Sequence, residues 1–302
     1  MSNEIFFATD IIVILLELCC ASGNGFIIYL FLRHKVLRSN KNLRLVAYLA
    51  ASDLMVAVTE SPYTWYLFLN WNSVLLDYNP FWIMNLAVPL LIQLKLSLVL
   101  TIMIAADRNI ALFWPAVYRK VEHILFANFS LFLAVSVATF DVILMFCIVP
   151  QARTPGCASI GCFINENFRA YWGNSNMVLG ILVISFTLAI FVGIRKVERS
   201  RVRISSREEK RFANANKTIA GILVSSLICI TIPSAFVGVV ELIGFSVFRL
   251  LGPFYLLGLL LSGVCNSVIF ICLNDDARRI VLKKSSTSII MVATNTPSKF
   301  LH

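Results

Sequence analysis

Five ionisable side chains stand inside long apolar runs: Glu17, Asp53, Glu60, Lys95 and Asp141. A further pair, Asp107-Arg108, closes the third of these runs just before the basic-aromatic stretch NIALFWPAVYRK. Covalent or metal chemistry fits this set poorly. The histidines are His34, His123 and His302, at run edges or in the tail. Neither a multi-His metal site nor a Ser-His or Cys-His nucleophile pair can therefore be assembled at depth. Charges in an apolar setting can instead pair, hold a cation or a proton, or meet a charged ligand.

Asp53 lies in LVAYLAASDLMVAV, flanked by small Ala and Ser that permit close helix packing. Asn24 in SGNGF falls at a similar depth, as does Ser97, about three turns before Arg108. Ser262 and Asn266 are four apart and share a helix face. These residues form a candidate central polar cluster, read either as a cation or water site, with sodium at Asp53, or as simple interhelical hydrogen bonding. Lys95 precedes Ser97 by two residues, which turns it about 200° around the helix, away from that cluster. Asp141, Glu60 and Glu17 could each reach its level. Asp141 on the fourth run is the favoured partner, as a structural ion pair; an anionic ligand meeting Lys95 is the alternative.

Elements must position these groups, and the apolar runs supply them. Hydrophobic residues make up 59% of the 302-residue chain and charged residues 14%, where a soluble protein carries roughly 25% charged. Mean hydropathy is +0.82. Runs of 18 or more apolar residues are long enough to cross a bilayer, and within lipid such runs must be helical. Helices are expected over 11–32, 43–69, 81–107, 124–149, 174–195, 217–240 and 248–273. The fold class is thus an all-α membrane protein, a seven-transmembrane helix bundle. MSNEIFFATD has no basic n-region or small-residue cleavage site, so the first run is expected to act as its own targeting signal. About 22 of the 26 Lys and Arg fall in alternate loops and the tail, which places the N-terminus outside and the C-terminus inside. The net charge of +10 is then a topology signal rather than a nucleic-acid footprint.

Loops carry smaller signals. The basic stretch RKVERSRVRISSREEKRFANANK joins the fifth and sixth runs; it is either a solvated loop near anionic lipid or a face for a protein partner. NDDARRIVLKK suits a short amphipathic helix on the inner membrane face, and SSTSIIMVATNTPSKFLH reads as a disordered tail. Cys157 and Cys162 both lie in an outer loop, where a disulfide is the favoured reading over two free thiols. The other six cysteines fall in the helices as small apolar residues. Tyr63, Trp65, Tyr66, Trp82, Tyr171, Trp172 and Tyr255 lie in the outer halves, as pocket walls or as an interfacial belt. Glu60, Lys95, Asp141, Tyr63 and Tyr255 are the candidate ligand-binding residues.

SGNGF, LAASDL, Asp107-Arg108, the proline of ICITIPSAF and NSVIF occur in that order. The set resembles the signature of rhodopsin-like G-protein-coupled receptors and covers all seven runs. Several positions depart from it. The fourth run has no Trp and the fifth no Pro; Thr231 stands where a Trp is usual, and Ser267 and Phe270 replace a Pro and a Tyr. FWIMN has no Cys, so the family's common disulfide cannot form. With its short length and Phe-rich helices, the chain resembles the nematode serpentine chemoreceptors, class BC. The resemblance implies signalling without catalysis and without a cofactor. A small extracellular ligand would bind among the outer helix halves, and a heterotrimeric G protein would dock in an inner cleft. Arg108 would be the switch residue held by Asp107, with Asp53, Ser97 and Asn266 coupling ligand to cleft. Residues 1–284 would form the receptor domain with its short helix and 285–302 the tail, in a multi-pass protein of the plasma membrane or a sensory cilium. The rival reading is a multi-pass transporter or ligand-gated channel subunit, although no internal repeat supports it. The seventh run has no lysine for a retinal Schiff base.

Overall fold

The structure, a computed structural model, describes residues 3–200, 207–242 and 254–282. It is mostly helical. Helix α1 spans Asn3–Arg33. The second apolar run folds as α2 (Arg44–Thr59) and α3 (Ser61–Leu69), the third as α4 (Pro80–Leu86) and α5 (Val88–Phe113). A short α6 (Pro115–Tyr118) leads to α7 (His123–Ile148). Then follow α8 (Glu166–Ser200), α9 (Arg207–Ser226), α10 (Ile232–Leu242) and α11 (Phe254–Leu273). A last helix, α12, covers 275–282. The expected tail 285–302, residues 201–206 of the basic loop and the start of the seventh run (248–253) lie outside the described residues.

Among the described residues, six helical stretches are long and apolar enough to cross a membrane. The second run is not among them because it is bent at Glu60. Pro62 has no N–H and cannot close the bond to Val58, although the Glu60 N–H still reaches the Val56 carbonyl (2.8 Å) and the Tyr63 N–H the Glu60 carbonyl (2.9 Å). Pro89 breaks the third run at Ala87 by the same chemistry. In the sixth run Pro233 strips the Cys229 carbonyl of its partner, and the chain between α9 and α10 widens into a π-turn over Leu227–Thr231.

Helix α5 is the axis of the bundle. It packs on α7, α8 and α2, while α1 packs on α2 and α11, α8 on α10, and α9 on α11. The apolar window of the third run is 72% buried, against 22% for α1 and for α7. Their outward faces carry Leu18 (61% exposed) and Phe132 (71% exposed), while Lys95 and Asp141 are turned fully inward. This inversion of the soluble pattern is what a lipid surround dictates. Helix α12 starts with the Asn274 side chain accepting from the Ala277 N–H (3.0 Å), an N-cap bond. Its Ile280 and Val281 pack on the inner apolar core.

Candidate functional site

Polar side chains gather at three levels of the bundle, all touching the third run. At the inner level, α5 continues past Arg108 to Phe113 rather than ending at Asp107. The pair is buried within the bundle: Arg108 is 1% exposed and Asp107 7%. A guanidinium so buried needs acceptors all round, and it has them. Arg108 Nε donates to Asp107 Oδ2 (2.9 Å), and Nη2 also meets that carboxylate. Nη2 donates to the Tyr118 hydroxyl (2.7 Å) and Nη1 to Asn216 Oδ1 (3.3 Å). Burial pushes the Tyr118 phenol up to about 12, so it is neutral at physiological pH. The arrangement ties α5 to α6 and to α9.

At the middle level Asp53 is buried between α2, α5 and α11. Gln93 Nε2 donates to its Oδ1 (3.0 Å) and Asn266 Nδ2 to its Oδ2 (3.3 Å). Asn24 Nδ2 donates to the Cys20 and Gly263 carbonyls (3.0 and 3.1 Å). The close approach of α11 depends on glycine at 263, where a Cβ would fall 2.6 Å from the Cys20 sulfur. Asn24 Oδ1, Asn266 Oδ1 and Ser262 Oγ are buried with no hydrogen-bond partner. Ser97 is buried at this level, but it is Gln93, one turn further out, that bonds Asp53.

At the outer level Lys95 Nζ lies 3.2 Å from Asp141 Oδ2, with both side chains fully buried. Lys95 also donates to Ser175 Oγ (2.6 Å), and the Tyr171 hydroxyl donates to Asp141 Oδ1 (2.8 Å). Glu60 and Glu17 stand elsewhere: Thr64 Oγ1 donates to Glu17 Oε1 (2.6 Å), and the two carboxyls are close enough to act on each other. Above them a narrow cleft is lined by Tyr63, Leu90, Ser159, Phe168, Trp172 and Tyr255. Trp172 and Tyr255 rings meet edge-on at 5.2 Å. Over the cleft lies the loop carrying the Cys157–Cys162 disulfide, whose Cα atoms are 6.1 Å apart. The Ile160 N–H donates to the Tyr63 hydroxyl (3.0 Å), fixing that loop to α3.

A model of the family described as serpentine type 7TM GPCR chemoreceptor Srbc matches residues 1–274. The chain belongs to that family. It is therefore an integral, multi-pass membrane protein of a nematode chemoreceptor family, as the motif order and the drift from rhodopsin-like positions indicated. None of the curated proteins matches it.

For this Srbc-family chain, the residues singled out by sequence separate into distinct places. Asn24, Asp53, Ser262 and Asn266 share the middle level. Tyr63 and Tyr255 reach the cleft, Glu60 adjoins it, and Lys95 and Asp141 close on each other. Trp65 and Trp82 are about half exposed, so they belong to the bundle's outer surface and not to the cleft. Gln93, Tyr118, Ser175 and Asn216 were not singled out. Gln93 had a signal, as an amide in the apolar run VPLLIQLKL on the same face as Ser97. Asn216 had none, because its partner is 108 residues away. Among the described residues no group of three or more His, Cys, Asp or Glu is placed to hold a metal ion.

Proposed function

We propose that this chain is a seven-pass plasma-membrane chemoreceptor, N-terminus outside, that binds a small ligand in the outer cleft and activates a heterotrimeric G protein from its inner end. In this reading α2 and α3 together make one crossing, bent at Glu60. The observation that carries it is the buried Arg108, bonded at once to its neighbour Asp107, to Tyr118 and to Asn216 of α9. A bond between the third and sixth runs that can be made or broken is a two-state element. The π-turn before Pro233 supplies the hinge, and outward movement of α9 would break the Arg108–Asn216 bond and open an inner cleft. Lys95–Asp141 holds the fourth run to the axis as a structural pair.

The middle level fits a hard cation. Buried oxygens without partners, on Asn24, Asn266 and Ser262, accompany the Asp53 carboxyl there, and oxygen donors are what sodium takes. Asp53 with these groups would hold the ion and stabilise the resting packing. Asp53→Asn should abolish any sodium dependence of agonist affinity in radioligand binding. A wild type insensitive to sodium makes the cluster purely structural.

Arg108→Ala is the test of the main reading. Agonist-stimulated nucleotide exchange on a reconstituted G protein should vanish while surface expression and ligand binding persist. Undiminished exchange at matched expression would remove Arg108 from the switch. Ion flux through liposomes carrying the purified chain would overturn the receptor reading itself.

A further inference from the structure

The outer level holds two kinds of charge with different bookkeeping. Lys95 is neutralised by Asp141 and further bonded to Ser175, so that network is self-contained. Glu60 is fully buried, and neither of its carboxyl oxygens has a hydrogen-bond partner. Its neighbours include the Glu17 carboxyl, Tyr63 and the Leu90 backbone N–H, which is close but completes no hydrogen bond. Among the described residues no cation pairs with it. Tyr63 and Leu90 both line the cleft, so the unpartnered carboxyl lies behind the cavity wall that they form.

Two independent features of the cleft point the same way. Ser159 is one of its lining residues, and the Ser159 hydroxyl is buried without a partner, so an unused hydrogen-bonding group belongs to the wall. Tyr63, Trp172 and Tyr255 present aromatic surface, which attracts a cation through the ring quadrupole. The rest of the wall is apolar, with Leu90 and Phe168 among it.

We infer that the outer cleft takes a small ligand with a protonated amine head and an apolar or aromatic body, with Glu60 as the counter-ion of the amine. The inference rests on the receptor reading for its consequence but not for its chemistry. The apolar body fills the space between Phe168, Trp172 and Tyr255. The ammonium sits toward Tyr63 and Glu60, with Ser159 accepting one of its hydrogens. A carboxylate ligand would instead meet the Glu60 and Glu17 carboxyls with no free cation among the described residues to receive it, since Lys95 is already paired.

Matched trios of probes test this on the full chain in lipid nanodiscs: phenethylamine, phenethyl alcohol and phenylacetate, and octylamine, octanol and octanoate. Binding is read by thermal shift and by tryptophan quenching. The amine should outrank its alcohol and carboxylate in at least one trio. Glu60→Gln should weaken the amine by about 10- to 150-fold, the worth of a charge-assisted hydrogen bond, and leave the alcohol unchanged. Glu60→Asp should keep the amine preference, which covers the case in which the glutamine variant does not fold. An alcohol or carboxylate that equals the amine throughout overturns the inference, as does a panel in which nothing binds or a folded Glu60→Gln with wild-type amine affinity. Amine binding that depends on Glu60 yet evokes no nucleotide exchange leaves the cation site standing and defeats the receptor reading.

Discussion

At the inner end of the third run, Nε, Nη1 and Nη2 of Arg108 all have acceptors, drawn from α5, α6 and α9. At the outer end, the Glu60 carboxyl and the Ser159 hydroxyl are as deeply buried and have no partner. Buried polar groups are costly unless satisfied, so the two regions store free energy differently. A saturated network stabilises one packing of the helices and must be broken for another to form. An unsaturated one leaves interaction energy to be realised when a ligand arrives. Signal transmission needs both, a site that gains contacts on binding and a lock that loses them. The middle level lies between these extremes, with Asp53 bonded on both oxygens but Asn24, Asn266 and Ser262 each holding an unused acceptor.

The comparison breaks if the outer level proves to be a lock as well, and Lys95 decides that. Lys95→Met leaves Asp141 buried with only the Tyr171 hydroxyl as a hydrogen-bond donor. Losing one partner of a buried pair costs about 3–5 kcal/mol. The variant should melt far below the wild type or fail to accumulate. The exchanged pair, Lys95→Asp with Asp141→Lys, should recover most of the loss. If Lys95→Gln folds normally but loses responses to acidic ligands alone, the lysine belongs to the ligand site and the amine assignment falls with it.

Gly258 tests whether the π-turn is a hinge. A Cβ at this position would lie 2.5 Å from the Cys229 carbonyl oxygen, the same carbonyl that Pro233 deprives of its helical partner. Backbone cannot give way as a side-chain end can, so Gly258→Ala must push α11 from the sixth run. Overpacking of this kind costs about 1–3 kcal/mol. The melting temperature should drop, and basal nucleotide exchange should change with it. If neither moves, the two helices are not held in register at this point and the hinge must lie elsewhere.

Legibility in the sequence followed the range of each interaction. Asp107-Arg108 announces itself as neighbours, and Lys95 opposite Ser97 could be sorted by helical angle alone, which led to Asp141. The same angle argument put Ser97 at the level of Asp53. It could not show that the longer Gln93 side chain, one turn out, would make the bond. Asn216 carries no signal of its own in the sequence, because nothing local says that α9 turns it onto Arg108. Helix ends were least legible where polar residues are absorbed by the bundle. Helix α5 runs on through Asp107 and Arg108 because their charges cancel inside the protein, and α8 begins at Glu166, well before the expected 174.

Asn216 gives the smallest effect and the finest test of the lock. Its Oδ1 accepts from Arg108 at 3.3 Å, a long bond with an uncharged acceptor, while Asp107 and Tyr118 hold the guanidinium more closely. It is an acceptor that α9 supplies to Arg108. Asn216→Leu should leave folding and ligand binding intact and raise basal nucleotide exchange by about fivefold, the equivalent of roughly 1 kcal/mol. Asn216→Asp should act in the opposite sense. A carboxylate in place of the amide makes a charge-assisted bond to the same guanidinium, roughly twice as strong, so basal exchange should fall and more agonist be needed for a half-maximal response. Opposite signs from two substitutions at one position cannot arise from simple loss of packing. If both raise basal exchange, or neither changes it, the Arg108–Asn216 bond is not the contact that opens, and the lock is confined to Asp107 and Tyr118.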